Sequence, residues 1–246
     1  MLTGSSQLAQ RVARVVNAAF PRTTFLIDAG EPRLSLLRKR IARNGLTRAA
    51  GQVAFRFVLA RIACRERQRL DALWRAAEHP EAPLDEARVH RVETVNSEPA
   101  WRIIAASAPD AVVVFSTRRL SRETIAACNA PILNLHPGIT PGYRGVHTGY
   151  WALRRNDPGN FGTTIHLIDD GLDTGPVVEQ IFCRPRGNIA LYPTVLTIAG
   201  LPALLNAAAL ALDGTLEARP TGPAEAICLE PTLWSYVAGG LAGGHW

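Results

Sequence analysis

Ile132-Leu133-Asn134-Leu135-His136-Pro137-Gly138 reads as a strand that runs into a turn. Side chains alternate faces along a strand. Leu133 and Leu135 therefore share one face, and Asn134 and His136 the other. The proline after His136 biases that residue toward extended backbone, which carries the alternation to the end of the strand. Upstream, residues 111–115 are apolar without alternation, the pattern of a strand covered on both faces. Between the two runs Ser121 can cap a helix. Strands alternating with helices predict an α/β fold with a mostly parallel sheet. Such sheets place ligands at the carboxyl ends of their strands, where Asn134 and His136 fall. Taken alone, the pair also fits a capping amide and a satisfied core imidazole.

Working outward, residues 6–20 predict an amphipathic helix with Leu8, Val12, Val15, Val16 and Ala19 on one stripe. Strands are expected at 23–28 and 90–95, and helices at 33–44, 51–78 and 98–108. Only Met1, Leu2 and Thr3 precede the turn Gly4-Ser-Ser, although a central strand usually runs about five or six residues. Further apolar strand residues upstream of Met1 are therefore expected. Residues 189–212 are uncharged and long enough to cross a bilayer. Pro193, Gly200, Pro202 and Asn206 interrupt them and favour a buried helix pair. The Gly/Pro-rich tail from Asp213, with Trp234, Tyr236 and Trp246, is expected to pack on the core or at an interface.

After His136 come the turn-rich loop Gly138-Ile-Thr-Pro-Gly-Tyr-Arg-Gly145, a helix at 147–155 and a strand at 162–169. Then follows Asp169-Asp-Gly-Leu-Asp-Thr-Gly175. This order resembles the folate-dependent formyltransferase family, the enzymes that use 10-formyltetrahydrofolate. That family carries an Asn-x-His-Pro strand end, a Pro/Gly loop ending in Gly, and a Leu-Asp-Thr-Gly turn about forty residues later; here His136 and Asp173 lie 37 residues apart. The resemblance covers residues 110–183 and weakens outside them. It implies a doubly wound, mostly parallel sheet of formyltransferase type. The catalytic domain is expected at 1–190, with a basic helical insertion at about 33–78, and a small C-terminal helical extension and tail at 191–246.

By that resemblance Asn134, His136 and Asp173 are the catalytic positions. The loop of Phe115, Ser116, Thr117, Arg118 and Leu120 would hold the pterin of the co-substrate through backbone groups. The turn of Ile168, Asp169 and Asp170 would form the other wall. Thr117-Arg118-Arg119 stands where family members often carry glycine and aromatic residues. Arg144 is expected as an anion contact and His147 as an acceptor contact or helix cap, whereas His166 reads as part of the framework. The chemistry suits these residues independently. An amine attacking a formyl carbon creates an oxyanion, which a side-chain amide and a protonated imidazole can stabilise. An acid/base relay must carry a proton from the attacking nitrogen to the leaving one.

Composition closes off other classes. The only lysine, Lys39, lies in an Arg-Lys-Arg run, so no Walker A loop is present. The four cysteines are scattered without Cys/His clusters, which speaks against a zinc site or a disulfide framework, and no metal is expected. No charged and apolar leader pattern follows Met1, and a cytoplasmic location is expected. Net charge is +6, but residues 33–75 hold eleven arginines and Lys39 against Glu66 and Asp71, a local +10. Phe57, Ala60 and Cys64 are expected to pack that segment on its own sheet.

The expected function is formyl transfer from 10-formyltetrahydrofolate to the amine of a phosphorylated small-molecule acceptor, with an amino-sugar nucleotide as first choice. Phosphoribosylglycinamide-type and hydroxylamine acceptors are alternatives. Non-enzyme alternatives are a silent binding protein on this fold and a membrane-surface or nucleic-acid module built on the basic stretch. Neither a nucleic-acid partner nor a transmembrane span is expected, and a homodimer is.

Overall fold

The computed structural model describes residues 1–243; Trp246 of the tail lies outside them. Seven strands form one sheet: β1 (Leu2–Gly4), β2 (Phe25–Asp28), β3 (Val89–Val92), β4 (Val112–Phe115), β5 (Ile132–His136), β6 (Gly162–Leu167) and β7 (Val177–Phe182). Their order is β3-β2-β1-β4-β5-β6-β7. The first five run parallel, and β6 and β7 are antiparallel to their neighbours. The expected α/β class with a doubly wound, mostly parallel sheet is what the chain adopts. Strand order reverses at β1 and β4, the place where open α/β sheets bind ligands. The strand β1 pairs with both β2 and β4.

The helices are α1 (Gln7–Ala19), α2 (Arg33–Asn44), α3 (Leu46–Arg65), α4 (Arg67–Ala76), α5 (Glu98–Ser107), α6 (Arg122–Cys128), α7 (Thr148–Arg154), α8 (Tyr192–Leu212) and α9 (Leu233–Gly243). Ser6 and Ser121 cap α1 and α6 by accepting from Ala9 N and Thr124 N. Alternation along β4 feeds two cores. Val113 and Phe115 join Leu133, Leu135 and Ile165 beneath α1 and α8. Val112 and Val114 join Leu2, Leu26 and Ile132 beneath α5 and α6. Asn134 and His136 have the parity of Ile132, so they leave the second face where the strand ends.

The expected helix pair at 189–212 is a single helix. Pro193 occupies the first turn of α8, where its missing N–H costs nothing. Pro202 sits inside the helix and removes the donor for the Ile198 carbonyl. His79 Nε2 lies 3.3 Å from that oxygen and replaces the lost donor. Leu201, Leu204, Ala207 and Ala208 belong to the core beneath β5 and β6, so α8 packs against the main sheet. Gly200 allows this approach, since a Cβ there would lie 2.7 Å from Thr163 Cγ2.

Two further expectations change. The 51–78 helix breaks at Glu66 into α3 and α4. The Phe57-Ala60-Cys64 stripe faces solvent, while Ala49, Gln52 and Phe55 face inward. Glu230 clamps this insertion to the tail. Its carboxylate meets Arg40 and Arg56, each at 2.6 Å, and its carbonyl accepts from Gln52 Nε2.

Candidate active site

At the carboxyl end of β5, Asn134, His136, Asp173 and His166 converge. The His136 ring is fixed by Nε2–H donating to Tyr143 O at 2.9 Å. Its Nδ1 is therefore the atom free to gain or lose a proton, and it lies 3.6 Å from Asp173 Oδ2. That carboxylate is held by the backbone N–H of Gly145 at 2.9 Å. Asp173 itself has a left-handed backbone, φ 52°, inside a tight turn. A Cβ on Gly175 would stand 1.8 Å from Leu167 O, so only glycine fits there. Asp169 tightens the same turn by accepting from Gly171 N and Thr174 Oγ1.

Asn134 pairs directly with His166 in the antiparallel register of β5 and β6. Asn134 Nδ2 donates to His166 Nε2 at 3.0 Å, while His166 Nδ1–H donates to Leu167 O at 2.8 Å. His166 is thus a neutral acceptor with a fixed tautomer. Burial, reinforced by the neighbouring His136, pushes its pKa below the usual histidine range. Asp173 Oδ1 is 3.9 Å from the same Nε2. Reading the sequence alone left His166 in the framework. The available signal was its position, two residues after Thr164 on the face opposite Ile165; the missing information was the register against β5.

The loop after His136 is pinned by threonines. Thr163 Oγ1 donates to His136 O and Thr164 Oγ1 to Gly138 O, both at 2.7 Å. Thr148 Oγ1 donates to Pro137 O. A cavity of about 510 Å³ opens over these groups. Phe115, Ser116, Thr117, Arg118 and Leu120 line one wall, and Ile168 and Asp169 line another. Its size suits a small-molecule site. Arg119 ties the two walls together by donating to Asp170 O. His147 lines the cavity at the start of α7, and burial lowers its pKa. It makes no side-chain cap; its ring meets Phe55 edge-on at 5.6 Å.

Two expected contacts, those of Arg144 and Asp170, are placed differently. Arg144 spends its guanidinium on the carbonyls of Leu172 and Glu225, so it braces the loop and is not offered to an anion. The Arg118 side chain grips Asp28 with two bonds of 2.8 Å, leaving its backbone to line the cavity. Asp28, at the end of β2, also accepts from Gly30 N and Val95 N and was not singled out from the sequence. Asp170 does not line the cavity; its carboxylate faces Arg122 at 3.3 Å. Among the described residues no group of three or more His, Cys, Asp or Glu is arranged to hold a metal ion.

The strand-end Asn and His and the carboxylate turn all lie inside the stretch that carries the family resemblance. Residues 58–184, just over half the chain, match the formyl transferase family model, and the chain belongs to that family. It is 40% identical over 74 residues to phosphoribosylglycinamide formyltransferase of Escherichia coli, covering 30% of this chain and 34% of that protein. It is 33% identical over 92 residues to methionyl-tRNA formyltransferase of Chlorobium chlorochromatii, covering 37% and 29%. The chain thus spans about a third of the length of these two relatives. Its fold is similar to that of a Shewanella sugar N-formyltransferase, with TM-score 0.56, 15% identity, and 92% and 74% of the two chains covered.

Proposed function

We propose that the protein transfers the formyl group of 10-formyltetrahydrofolate to a primary amine of a small-molecule acceptor, with Asn134, His136 and Asp173 as the catalytic residues. The observation that carries this reading is the convergence of these three side chains at one cavity inside the family-matched segment. The amide of Asn134, held by His166, faces the cavity and can donate to the oxygen of the formyl group as negative charge develops there. His136 Nδ1 can take the proton released when the acceptor nitrogen bonds to the formyl carbon. It can return that proton to the folate nitrogen as the carbon–nitrogen bond to it breaks. Asp173 faces the imidazolium that exists between the two events.

The backbone of residues 115–120 and the turn at 168–169 are assigned to the co-substrate, and His147 to the acceptor. Within this reading the first-choice acceptor is an amino-sugar nucleotide; the fold shared with the Shewanella sugar N-formyltransferase is compatible with it. A phosphorylated acceptor, a homodimer, a cytoplasmic location and a domain division near residue 190 belong to the same reading. The test is incubation with 10-formyltetrahydrofolate and a panel of amines, including amino-sugar nucleotides and phosphoribosylglycinamide. Mass spectrometry should show one amine gaining the mass of one CO as tetrahydrofolate forms. Stoichiometric folate binding without transfer to any amine would instead indicate a silent binding protein.

A further inference from the structure

Along the outer face of α3, Leu46, Ala50, Val53, Phe57, Ala60 and Cys64 follow one another at spacings of four and three residues. This spacing keeps a continuous line on one side of a helix. The opposite side is buried in the fold through Gly51, Gln52 and Phe55. The outer line is uncovered. Leu46 and Phe57 are each 70% exposed, Ala50, Ala60 and Cys64 are exposed, and Val53 is partly so. An apolar line of this kind over 20 residues is unusual for a surface whose other role would be plain solvation.

The charges around it have one sign. Arg61 and Arg65 run beside the line, one turn apart. Together with Arg38, Arg43, Arg48 and Arg67 they are exposed, and none of the six has an ion-pair partner among the described residues. The two acidic side chains of the segment are engaged elsewhere, Glu66 with Arg69 and Asn188, and Asp71 with Arg11. None of these arginines lines the active-site cavity, so they do not reach an acceptor bound inside it.

We propose that the outer face of α3 docks on an anionic lipid bilayer. Phe57 and Leu46 would enter the interface, and Arg61 and Arg65 beside them would meet the headgroups. Apolar insertion and basic attraction are the two signals that together hold a helix on such a surface. Pairing of two copies through this face would bring one +10 segment against another. A nucleic-acid backbone would match the arginines but leave the apolar line uncovered. The proposal is independent of the acceptor and of formyl transfer.

Co-sedimentation with vesicles containing about one-third phosphatidylglycerol in phosphatidylcholine tests it. The protein should pellet with these vesicles, not with pure phosphatidylcholine, and should release at high salt as the charges are screened. Arg61→Gln with Arg65→Gln should weaken binding by about twenty-five-fold, at roughly fivefold per arginine. Phe57→Ser should weaken it by about tenfold through lost apolar burial, with melting temperature and formyl transfer unchanged because the ring is exposed. Failure to pellet with the anionic vesicles would overturn the proposal. So would unaltered pelleting of Phe57→Ser, which means adsorption by charge alone. A dimer in sedimentation velocity that Phe57→Ser dissolves, or retention on duplex DNA in preference to vesicles, would also overturn it.

Discussion

Asn134 Nδ2 donates to His166 Nε2 at 3.0 Å, across the antiparallel pairing of β5 with β6. The Leu167 carbonyl holds the proton of His166 on Nδ1, so Nε2 presents a lone pair and the Asn134 amide has one orientation. His166 therefore acts through Asn134 as a positioning residue. His166→Ala should lower kcat about tenfold and leave the KM for the folate nearly unchanged, because a misplaced oxyanion donor loses most of its effect. His166→Gln, which keeps an acceptor near that place, should recover much of the loss. Steady-state kinetics of both variants measures this, and equal kcat in wild type and His166→Ala would remove the role.

The same imidazole gives a pH dependence. Burial lowers the pKa of His166, and burial also lowers that of His147. Above the unfolded-state value of about 6.5 neither histidine is charged in either state, and stability does not depend on them. As pH falls below it, the unfolded chain takes up protons that the folded chain refuses, so stability is lost toward the lowered folded values. Melting temperature should fall between pH 7 and pH 5, and the fall should be shallower in His166→Gln. Activity should persist to lower pH and drop only toward the lowered folded value of His166, since protonated His166 cannot accept from Asn134.

Asn134→Ala, His136→Ala and Asp173→Ala should each reduce turnover by about 10²-fold or more, the usual cost of losing an oxyanion donor or a proton relay. All three line the cavity, so their removal should leave the fold intact. Single-turnover formyl transfer with a melting curve for each variant separates the two effects. Near-normal turnover in all three would overturn the catalytic assignment.

The site was legible in the sequence wherever local geometry decides it. Alternation along β5 put Asn134 and His136 on one face, whereas Asp173 was marked by the resemblance of its Leu-Asp-Thr-Gly turn to the formyltransferase family. What stayed hidden depends on partners distant in the chain. Arg144 reads as a loop arginine poised for an anion until Leu172 and Glu225 are seen to consume its donors. Asp28 reads as a strand end until Arg118, ninety residues away, closes on it. The stripe of α3 was misread because an apolar line is expected to face inward, and here the inward face is the one carrying Gln52 and Phe55. The helix pair at 189–212 rested on Pro193, Gly200, Pro202 and Asn206 as interruptions, and the cost of Pro202 is offset by a side chain 123 residues upstream.

Gly175→Ala should be more damaging than its size suggests. The added methyl would sit 1.8 Å from the Leu167 carbonyl carbon's oxygen, a backbone atom that cannot swing aside. The turn must open, which moves Asp173 off Gly145 N and away from His136. A shift of about 1 Å in a positioned group can cost about 10²-fold in rate. The expected result is a protein that still melts cooperatively, a few degrees lower, with turnover reduced as in Asp173→Ala. Full activity in Gly175→Ala would show that the turn can relax without moving the carboxylate.

The pairing of His79 with α8 makes a prediction about stability alone. Pro202 leaves the Ile198 carbonyl without its helical donor, and His79 Nε2 stands 3.3 Å from that oxygen. His79→Ala should therefore destabilise the protein by about 1 kcal/mol, the usual net contribution of one hydrogen bond, since this contact is partly buried. Pro202→Ala restores the N–H of residue 202 and should stabilise the helix, although the freer unfolded chain offsets about 0.4–1 kcal/mol of the gain. In the Pro202→Ala background the carbonyl has a donor of its own, and His79→Ala should then cost much less. Chemical denaturation of the wild type, both single variants and the double variant completes the cycle. Additive effects would mean that His79 and Pro202 act independently and that the histidine does not substitute for the missing backbone donor.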